Sequence, residues 1–437
     1  MTDTIYALSS GRPPAGIAVI RLSGPHARDV TGCFVARADA LRPRTAHLRA
    51  LHDPETGALL DEVLVMLFPA PGSVTGEGMA EWHCHGGQAV VRAVLGALAR
   101  LAEAQPALRL REATVGEFTR RAFENGRIDL NEAEGLADLL AAETESQRRA
   151  ALLMADGHFS RRLDQWRAQL LNCAALAESL LDFSDEDDVP GAGAETVLSE
   201  SIAALAVEMD RQLAVAPAER LRDGVRVVLA GPPNSGKSTL LNALLGREAA
   251  IVSDIAGTTR DRIEAPVELG GIAFVLTDTA GLAEQTDDAI EAIGIDRARQ
   301  AIDLADIVLW LGEPSDSLRA DALRLATQMD RPGWAMPRGC ELSVSAHTGE
   351  NMDRLVATLI DRARLLLPAE GEVALHRRQR EGVADMRDAL RACEGEGDLL
   401  VVAEHLRTAR LAMDRLSGRA GVEDMLDALF GRFCIGK

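Results

Sequence analysis

Residues Gly231 to Ser238 read GPPNSGKS and lie between the apolar run Val225 to Ala230 and a helix-like stretch, Thr239 to Gly246. In a loop of this spacing the backbone N–H groups surround the β-phosphate of a nucleotide, and glycine lets the backbone approach closely. Lys237 then reaches the β- and γ-phosphate oxygens, and the Ser238 hydroxyl binds a magnesium ion. The loop therefore predicts binding of a nucleoside triphosphate.

Two later segments have the order and spacing of a triphosphate switch. The first is SDIAGTTRD, Ser253 to Asp261, and the second is DTAG, which begins at Asp278 directly after an apolar run. Asp278 is placed at a strand end to hold magnesium through water, and the Gly281 N–H can contact the γ-phosphate. Thr259 can complete the metal shell only while that phosphate is present.

Two residues near these motifs allow two interpretations each. Asn234, with the turn Ser253 to Thr258, could bind a monovalent cation where other enzymes place an arginine, or it could be an ordinary turn residue. Glu284 lies three residues after Gly281, where a water-orienting group belongs, but an exposed loop glutamate would look the same.

The base-reading motif N-K-x-D is missing, although its expected place can be identified. Thr327-Gln328-Met329-Asp330 follows the apolar run Ala322 to Ala326, and Asp330 would contact guanine N1 and N2 unless it simply faces solvent. Downstream, Ser343 to Glu350 reads SVSAHTGE and resembles the S-A-K loop whose backbone N–H contacts the guanine oxygen. These segments favour GTP as the nucleotide.

The elements that must position these residues change character along the chain. Up to residue 117, short β-rich runs (Gly16 to Arg21, Val63 to Phe68, Glu81 to His85) alternate with a helical pattern at Gln88 to Ala104, which indicates an α+β domain. Leucine and alanine then recur at helical spacing to about Gln212, interrupted by a loop predicted at residues 184–195.

Helical periodicity resumes after the nucleotide-binding segment, from Val373 to Phe433. This order predicts an α/β domain inserted into a discontinuous helical domain. The predicted fold class is thus α/β plus α+β and all-α, with a Ras-like P-loop domain as the insertion. The predicted domains are 1–117 (α+β), 118–220 (helical, first part), 221–370 (P-loop domain) and 371–437 (helical, second part).

Composition excludes several classes of protein. The chain has 437 residues and a formal net charge of −20, which argues against a surface devoted to nucleic acid. No apolar run is long enough to span a membrane and no signal peptide is evident, so we expect a cytoplasmic protein. Its six cysteines include no C-x-x-C pair, which predicts reduced thiols.

Four separated blocks resemble one family, the tRNA-modification GTPases called MnmE or TrmE. They are DTIYALSSGRPPAGIAVIRLSG (Asp3 to Gly24), EWHCHGG (Glu81 to Gly87), the long block Arg111 to Leu139, and the final FCIGK (Phe433 to Lys437). They occur in the family's order and extend over nearly the whole chain. The sequence is therefore similar to this family well beyond its nucleotide-binding motifs.

The resemblance implies more than the spacing does. Such proteins form homodimers through the N-terminal domain and bind 5-formyl- or 5,10-methylene-tetrahydrofolate there. They work with the flavin protein MnmG, as a heterotetramer, on the wobble uridine of tRNA, and their GTPase activity depends on potassium. By position, the folate-contacting residues are Arg21, Glu81, Arg127 and Lys437.

The same resemblance assigns the remaining site residues. The potassium ligands are Asn234, Ser253, Ile255 and Thr258, and the magnesium ligands are Ser238 and Thr259. The catalytic residues are Glu284 and Cys434, although the residues alone would allow Cys434 to be an inert thiol. The GTP-binding set is Asn234, Ser235, Gly236, Lys237, Ser238, Thr239, Ser253, Asp254, Ile255, Ala256, Gly257, Thr258, Thr259, Asp278, Thr279, Ala280, Gly281, Asp330, Ser345, Ala346 and His347.

Two departures from the family pattern keep other hypotheses open. The missing N-K-x-D affects guanine selectivity, and Ala283 stands where the family often has an arginine. One alternative is a GTPase switch of the ribosome-assembly kind, and another is a family member with degenerate guanine recognition. The net charge and the divided helical domain argue against the first of these.

Overall fold

The structure is a computed structural model that describes residues 3–182, 191–247, 264–279, 299–317, 319–418, 423–431 and 433–436. By its internal contacts the chain divides into two compact units. Unit 1 combines Met1–Ala137 with Ser417–Lys437, and unit 2 is Asp138–Leu416.

The described chain contains two sheets and a series of helices. The strands are β1 (Thr4–Leu8), β2 (Ile17–Ser23), β3 (His47–His52), β4 (Leu59–Phe68), β5 (Met79–His85), β6 (Leu110–Glu112), β7 (Val225–Ala230), β8 (Glu264–Leu269), β9 (Ile272–Asp278), β10 (Ile307–Trp310), β11 (Leu323–Ala326) and β12 (Leu342–Ser343). The helices are α1 (Ala27–Phe34), α2 (Gln88–Ala104), α3 (Glu117–Glu124), α4 (Leu130–Ala141), α5 (Glu145–Ala155), α6 (His158–Asp182), α7 (Gly191–Ala214), α8 (Glu219–Asp223), α9 (Lys237–Arg247), α10 (Met352–Leu366), α11 (Arg377–Arg391), α12 (Leu399–Leu416) and α13 (Glu423–Phe430).

Unit 1 is built on a six-stranded sheet in the order β3-β4-β5-β2-β1-β6. Neighbouring strands are antiparallel except β1 and β6, which run parallel. Alternate side chains point to opposite faces of a strand, so Val63 and Val65 are buried while Leu64 between them is exposed. Their buried face belongs to an apolar core with residues of α1 and α2. The opposite face, called the open face below, exposes Leu48 and Leu64, whereas Phe118 covers Ile5 and Ala7 of β1 on that face.

The C-terminal part of the chain also belongs to unit 1. Leu426, Leu429 and Phe430 of α13 pack with Leu130 and Ala133 of α4 in one apolar cluster. The first and last segments of the chain therefore contribute to the same compact unit.

The sheet of unit 2 has the order β12-β11-β10-β7-β9-β8, and only β8 runs antiparallel to its neighbour. The parallel strands β7, β9, β11 and β12 end at Ala230, Asp278, Ala326 and Ser343. Parallel strands bring their carboxyl ends to one edge of a sheet, which is where open α/β folds bind ligands. This edge carries the nucleotide motifs.

Helices that precede the unit 2 sheet in the sequence and helices that follow it share one apolar core. Trp166 of α6 and Met209 of α7 belong to the same apolar cluster as Val383 of α11 and Met413 of α12. The helical part is therefore discontinuous in sequence, and the predicted fold class is confirmed.

The predicted elements meet different outcomes. The helix at Gln88 to Ala104 and the strand at Val225 to Ala230 are confirmed at both ends. The loop predicted at 184–195 is wrong at its end, because α7 begins at Gly191, and Ala194 packs against the helical core. None of the described helices is long and apolar enough to cross a membrane.

Candidate functional site

The phosphate loop joins the end of β7 to the start of α9. Gly231 has φ +148° and Gly236 has φ +93°, and a Cβ at Gly231 would lie 3.0 Å from the backbone of Leu311. Residues that carry a side chain rarely adopt such φ values, so glycine at these positions permits the sharp turn from strand to helix. Asn234, with φ +61°, takes the left-handed conformation that asparagine tolerates better than most residues.

Lys237 is directed back across this loop. Its Nζ donates to the carbonyl oxygens of Gly231 at 3.0 Å and Pro232 at 2.9 Å, and the residue is only 5% exposed. The ammonium group is thus held inside the loop, where the phosphates of a nucleotide would be bound. Thr239 follows in the first turn of α9.

Ser238 and Asp278 meet at the carboxyl edge of the sheet. The Ser238 hydroxyl donates to Asp278 Oδ2 at 2.5 Å, although the two residues are 40 positions apart. Thr279 anchors this point, because its hydroxyl donates to the Leu229 carbonyl of β7 at 2.9 Å. A hydroxyl and a carboxylate beside a phosphate loop are hard oxygen ligands, so this pair fits Mg²⁺.

The predicted base-reading residues also lie together. The Ser345 hydroxyl donates to Asp330 Oδ1 at 2.7 Å and accepts from the Thr348 N–H at 3.1 Å. The hydrogen bond from Ser345, with the charge of nearby His347 contributing, lowers the pKa of Asp330 below its usual value. Asp330 is therefore held as an acceptor, as the N1 and N2 donors of guanine require. Ala346 is half-buried between Ser345 and His347.

The sequence places Thr327 and Gln328 in this segment but predicts no role for them. In the structure both side chains donate to carbonyl oxygens of the phosphate loop. The only signal in the sequence was their place where N-K-x-D usually begins. A hydrogen bond over more than 90 positions needs the fold to be known.

Two of the predicted folate residues form a pair on the open face of the unit 1 sheet. Arg21 on β2 is the direct register partner of Glu81 on β5, and its Nε and Nη2 lie 3.0 and 2.9 Å from Glu81 Oε1. The Arg21 guanidinium lies over the Phe118 ring at 5.7 Å from its centroid. Arg127 is exposed after α3 and makes no hydrogen bond or ion pair with Arg21 or Glu81.

The C-terminal segment approaches the same sheet. Ile435 forms an antiparallel bridge with Val115, and Gly436 packs so tightly on β1 that a Cβ there would collide with the Leu8 carbonyl. Cys434 is exposed, while Cys84 and Cys393 are buried. Burial raises the pKa of these two thiols to about 12 and about 11.

His83 and His85 have separate carboxylate partners. His83 Nε2 lies 3.5 Å from Glu81 Oε2, and His85 Nδ1 lies 2.7 Å from Asp61 Oδ1. Within the described ranges, no cluster of three or more His, Cys, Asp or Glu side chains could hold a metal ion.

Part of the predicted set lies outside the described residues. It comprises Ser253, Asp254, Ile255, Ala256, Gly257, Thr258, Thr259, Ala280, Gly281, Glu284 and Lys437. Their assignments remain predictions.

Comparison with known proteins identifies similar sequences along the whole chain. Residues 4–127 match the family model described as GTP-binding protein TrmE N-terminus, and residues 130–434 match the MnmE helical domain. The chain is 60% identical over 440 residues to the tRNA modification GTPase MnmE of Rhizorhabdus wittichii, covering 100% of this chain and 97% of the relative. It is 54% identical to the protein of the same name from Erythrobacter litoralis, with both chains covered completely.

Among solved structures, the G domain of the FeoB iron transporter of T. maritima is 23% identical. It matches 32% of this chain and 98% of its own length, with a TM-score of 0.24.

Proposed function

Because the chain belongs to the MnmE, or TrmE, family of tRNA modification GTPases, we propose that it hydrolyses GTP to GDP and phosphate in support of tRNA modification. The observation that carries this proposal is the arrangement at the carboxyl edge of the unit 2 sheet. There Lys237, the Ser238–Asp278 pair and the Asp330–Ser345 pair follow the ends of parallel strands. These groups match the phosphate, metal and base ends of one nucleotide.

The bound triphosphate replaces internal contacts of the loop. Lys237 exchanges the carbonyls of Gly231 and Pro232 for β- and γ-phosphate oxygens, while the loop N–H groups hold the β-phosphate. A Mg²⁺ ion would be held by Ser238 and Thr259, with Asp278 contributing through water, and would supply charge neutralisation to the phosphates. In the hydrolytic step a water oxygen bonds to the γ-phosphorus and gives up one proton to a γ-phosphate oxygen. The bond to the β–γ bridging oxygen breaks, and GDP keeps that oxygen.

Two further groups act on this step. Glu284 orients the attacking water, which is the role of the residue at this place in related switches. A K⁺ ion would be held by Asn234, Ser253, Ile255 and Thr258 and would supply positive charge where other enzymes use an arginine. In support, the exposed Asn234 side chain makes no hydrogen bond to any residue that the structure describes.

The proposed folate site lies in unit 1. The Arg21–Glu81 pair offers a cation and a carboxylate, which suit the anionic tail and the amide-like pterin edge of a tetrahydrofolate. Arg127 and Lys437 complete the proposed set. The approach of the C-terminal segment to β1 supports a site built from both ends of the chain, with Cys434 taking part in the chemistry.

The substrate and partners follow from the family. We propose that the chain acts with the flavin protein MnmG, as a heterotetramer, on the wobble uridine of tRNA, and that it does so in the cytoplasm. We further propose the domain limits 1–117, 118–220, 221–370 and 371–437, with the third as the GTPase insertion.

The proposed homodimer is supported by apolar residues on the open face of the unit 1 sheet. Leu48 on β3 is paired with Leu64 on β4, and the two are 63% and 41% exposed. Ile17 on β2 is 57% exposed on a neighbouring strand pair. Adjacent exposed apolar side chains of this kind are typical of protein interfaces.

Phosphate release by the full chain tests which nucleotide is hydrolysed and whether hydrolysis depends on K⁺. With Mg²⁺ present, we expect hydrolysis of GTP in K⁺ to exceed that in Na⁺ and to exceed hydrolysis of ATP in either salt. Negligible, cation-indifferent rates with both nucleotides would instead favour the second candidate, a family member with degenerate guanine recognition. The segment Thr327 to Asp330, which replaces N-K-x-D, is the observation behind that candidate.

A substitution separates binding from turnover. Glu284→Ala should still bind GTP but lose about 100-fold or more in turnover, the usual loss when a positioned proton-transfer or water-orienting group is removed. Glu264→Ala, at the exposed start of β8, is the matched control and should keep the full rate. Equal turnover in Glu284→Ala and the control would remove Glu284 from this role.

A further inference from the structure

One surface loop of unit 1 is basic although the chain as a whole is acidic. It consists of residues 36–50, called the basic loop below, and it is closed where Val35 forms an antiparallel bridge with Leu51. One aspartate and four arginines give it a formal charge of +3, whereas the whole chain carries −20. The arginines are Arg37, Arg42, Arg44 and Arg49. A local concentration of positive charge of this kind is typical of a surface that binds a polyanion.

Neighbouring carboxylates do not neutralise the charge of the basic loop. The first three of its arginines are exposed and the fourth is half-buried. In the part of the chain that the structure describes, none of the four forms an ion pair, whereas Arg100 and Arg121 of the same unit are bound to carboxylates. The charge of the loop is therefore available to a ligand.

The backbone of the basic loop is held in a defined conformation. Arg37 and Arg44 have φ +55° and +56°, in the left-handed region that residues with a side chain rarely adopt. The Arg44 N–H donates to the Leu67 carbonyl at 2.9 Å, and the Arg42 N–H donates to His47 Nε2 at 3.0 Å. Such a conformation persists only where surrounding contacts hold it, and it is often found at sites with a function.

The Arg44 side chain is itself oriented by two contacts. Its guanidinium lies over the Phe68 ring at 5.8 Å from the centroid, and its Nη2 donates to the Gly72 carbonyl. A guanidinium has five N–H donors in a planar fork, so further donors remain for the oxygens of a phosphate. A side chain that is already held in place loses less conformational entropy when a ligand binds.

The basic loop leaves the proposed dimer face free. Arg49 is the register partner of Val63, which is buried in the core, whereas Leu48 is the partner of the exposed Leu64 on the open face. Successive residues of a strand point to opposite faces, so Arg49 and Leu48 lie on opposite sides of the sheet. A ligand bound at Arg49 therefore does not cover Leu48.

We propose that the basic loop binds the phosphate backbone of tRNA. The inference rests on the proposed tRNA substrate and adds a binding site for it. Arginine binds phosphate through charge-assisted, often bidentate hydrogen bonds, and such contacts position a nucleic acid without reading its sequence. The loop contains no Phe, Tyr or Trp on which bases could stack, so the backbone is the part of the RNA that it suits.

Fluorescence anisotropy of a labelled tRNA with a wobble uridine, titrated with the full chain at several KCl concentrations, tests the proposal. Each arginine–phosphate contact that is lost should make the slope of log K against log salt shallower by about one. The variant Arg37→Gln/Arg42→Gln/Arg44→Gln should lose about three from this slope and bind tRNA about 30-fold more weakly near 0.1 M salt. A tRNA without a wobble uridine should be affected equally, because phosphate contacts carry no sequence information.

Arg28→Gln/Arg92→Gln/Arg109→Gln is the matched control, because it removes the same charge from exposed positions of unit 1 outside the basic loop. It should keep both the affinity for tRNA and the salt slope of the unchanged chain. Arg44→Lys keeps the charge but not the planar fork, so it should keep the slope and lose about threefold in affinity. Analytical ultracentrifugation should give the same mass for every variant, which separates lost RNA binding from dissociation of the dimer.

Unchanged tRNA binding by the loop variant, an equal loss in the control, or no detectable tRNA binding by the unchanged chain would show that the proposal is wrong. A loop variant that binds tRNA normally but no longer binds purified MnmG would also contradict it, because the loop would then be a protein-binding surface. The proposed function fails by a different result. If cells that lack the chain keep their wobble modification, that function is wrong even where the loop binds tRNA.

Discussion

Lys237 and Lys437 are the only two lysines among the 47 Lys and Arg residues of the chain. Lys237 lies in the phosphate loop, and Lys437 is one of the four proposed folate-binding residues. Lysine is a compact point charge with a reactive amine, whereas arginine is always charged and does not react as an amine. An amine-directed reagent therefore reports on both proposed sites and on little else besides the N-terminus.

Amine labelling followed by peptide mass analysis should distinguish the two sites in one sample. GDP with Mg²⁺ should slow labelling at Lys237 because the phosphates cover its Nζ, and it should leave Lys437 unchanged. 5-Formyl-tetrahydrofolate should have the opposite effect, protecting Lys437 alone. Protection of neither lysine by the folate would contradict the assignment of Lys437.

The residue pairs show what spacing can and cannot predict. The order of phosphate loop and DTAG was enough to expect Ser238 and Asp278 at one metal, and the two side chains do meet. The Arg21–Glu81 pair depends on the register of β2 against β5, which the sequence does not reveal over a separation of 60 positions. Only the family resemblance suggested that pair in advance.

Among the elements, predictability followed the strength of the hydrophobic pattern. β7 is buried except at Arg226 and lies between parallel neighbours, and α2 has a regular apolar stripe, so the sequence locates both. β3 reads HLRALH and is not predicted, because this edge strand has little β-branched or aromatic character and has β4 as its one neighbouring strand in the sheet. Its register with β4, not its composition, makes it a strand.

The start of α3 is tied to β6 by a buried carboxylate. Glu117 is bonded by Arg111, by the Thr114 N–H at 2.8 Å and by the fully buried Arg121 at 3.0 Å. Burial raises the pKa of Glu117, but Arg111, the Thr114 N–H and Arg121 together lower it more, to about 2. A carboxylate with a depressed pKa stabilises the folded state while it is ionised.

Glu117→Gln should therefore destabilise unit 1 by about 3 kcal/mol above pH 4.5, the value that corresponds to this shift in pKa. The difference from the unchanged chain should shrink as the pH falls from 4.5 toward 2, since the native carboxyl is then protonated as well. Hydrogen exchange of the β1 amides as a function of pH measures the effect. Glu124→Gln, which removes an exposed ion pair with Arg120, should cost less than about 1 kcal/mol at any pH.

At the scale of the whole molecule, the open face of the unit 1 sheet carries both the Arg21–Glu81 pair and the exposed Leu48 and Leu64. Replacing both leucines by glutamate should give a particle near the chain mass of 46.7 kDa in analytical ultracentrifugation, against twice that mass for the unchanged chain. Charge on a buried apolar interface opposes association. A Leu365→Glu variant, at an exposed position on α10, should remain dimeric.

The inserted arrangement places the nucleotide site in unit 2 and the proposed folate site in unit 1. Sequence periodicity predicted the insertion because helical patterns flank an intact α/β segment. It did not predict that residues 417–437 would join unit 1, since α13 packs on α4 through apolar contacts between distant parts of the chain.

The most direct test of the account is mass analysis of wobble nucleosides in tRNA from cells that lack this protein. We expect the 5-carboxymethylaminomethyl-type uridines to disappear from these cells and to return when the unchanged chain is supplied. The Lys237→Ala variant should not restore them, because it lacks the ammonium group that binds the phosphates. A wobble position that stays fully modified without the protein would contradict the account and would favour a ribosome-assembly role for the same GTPase site.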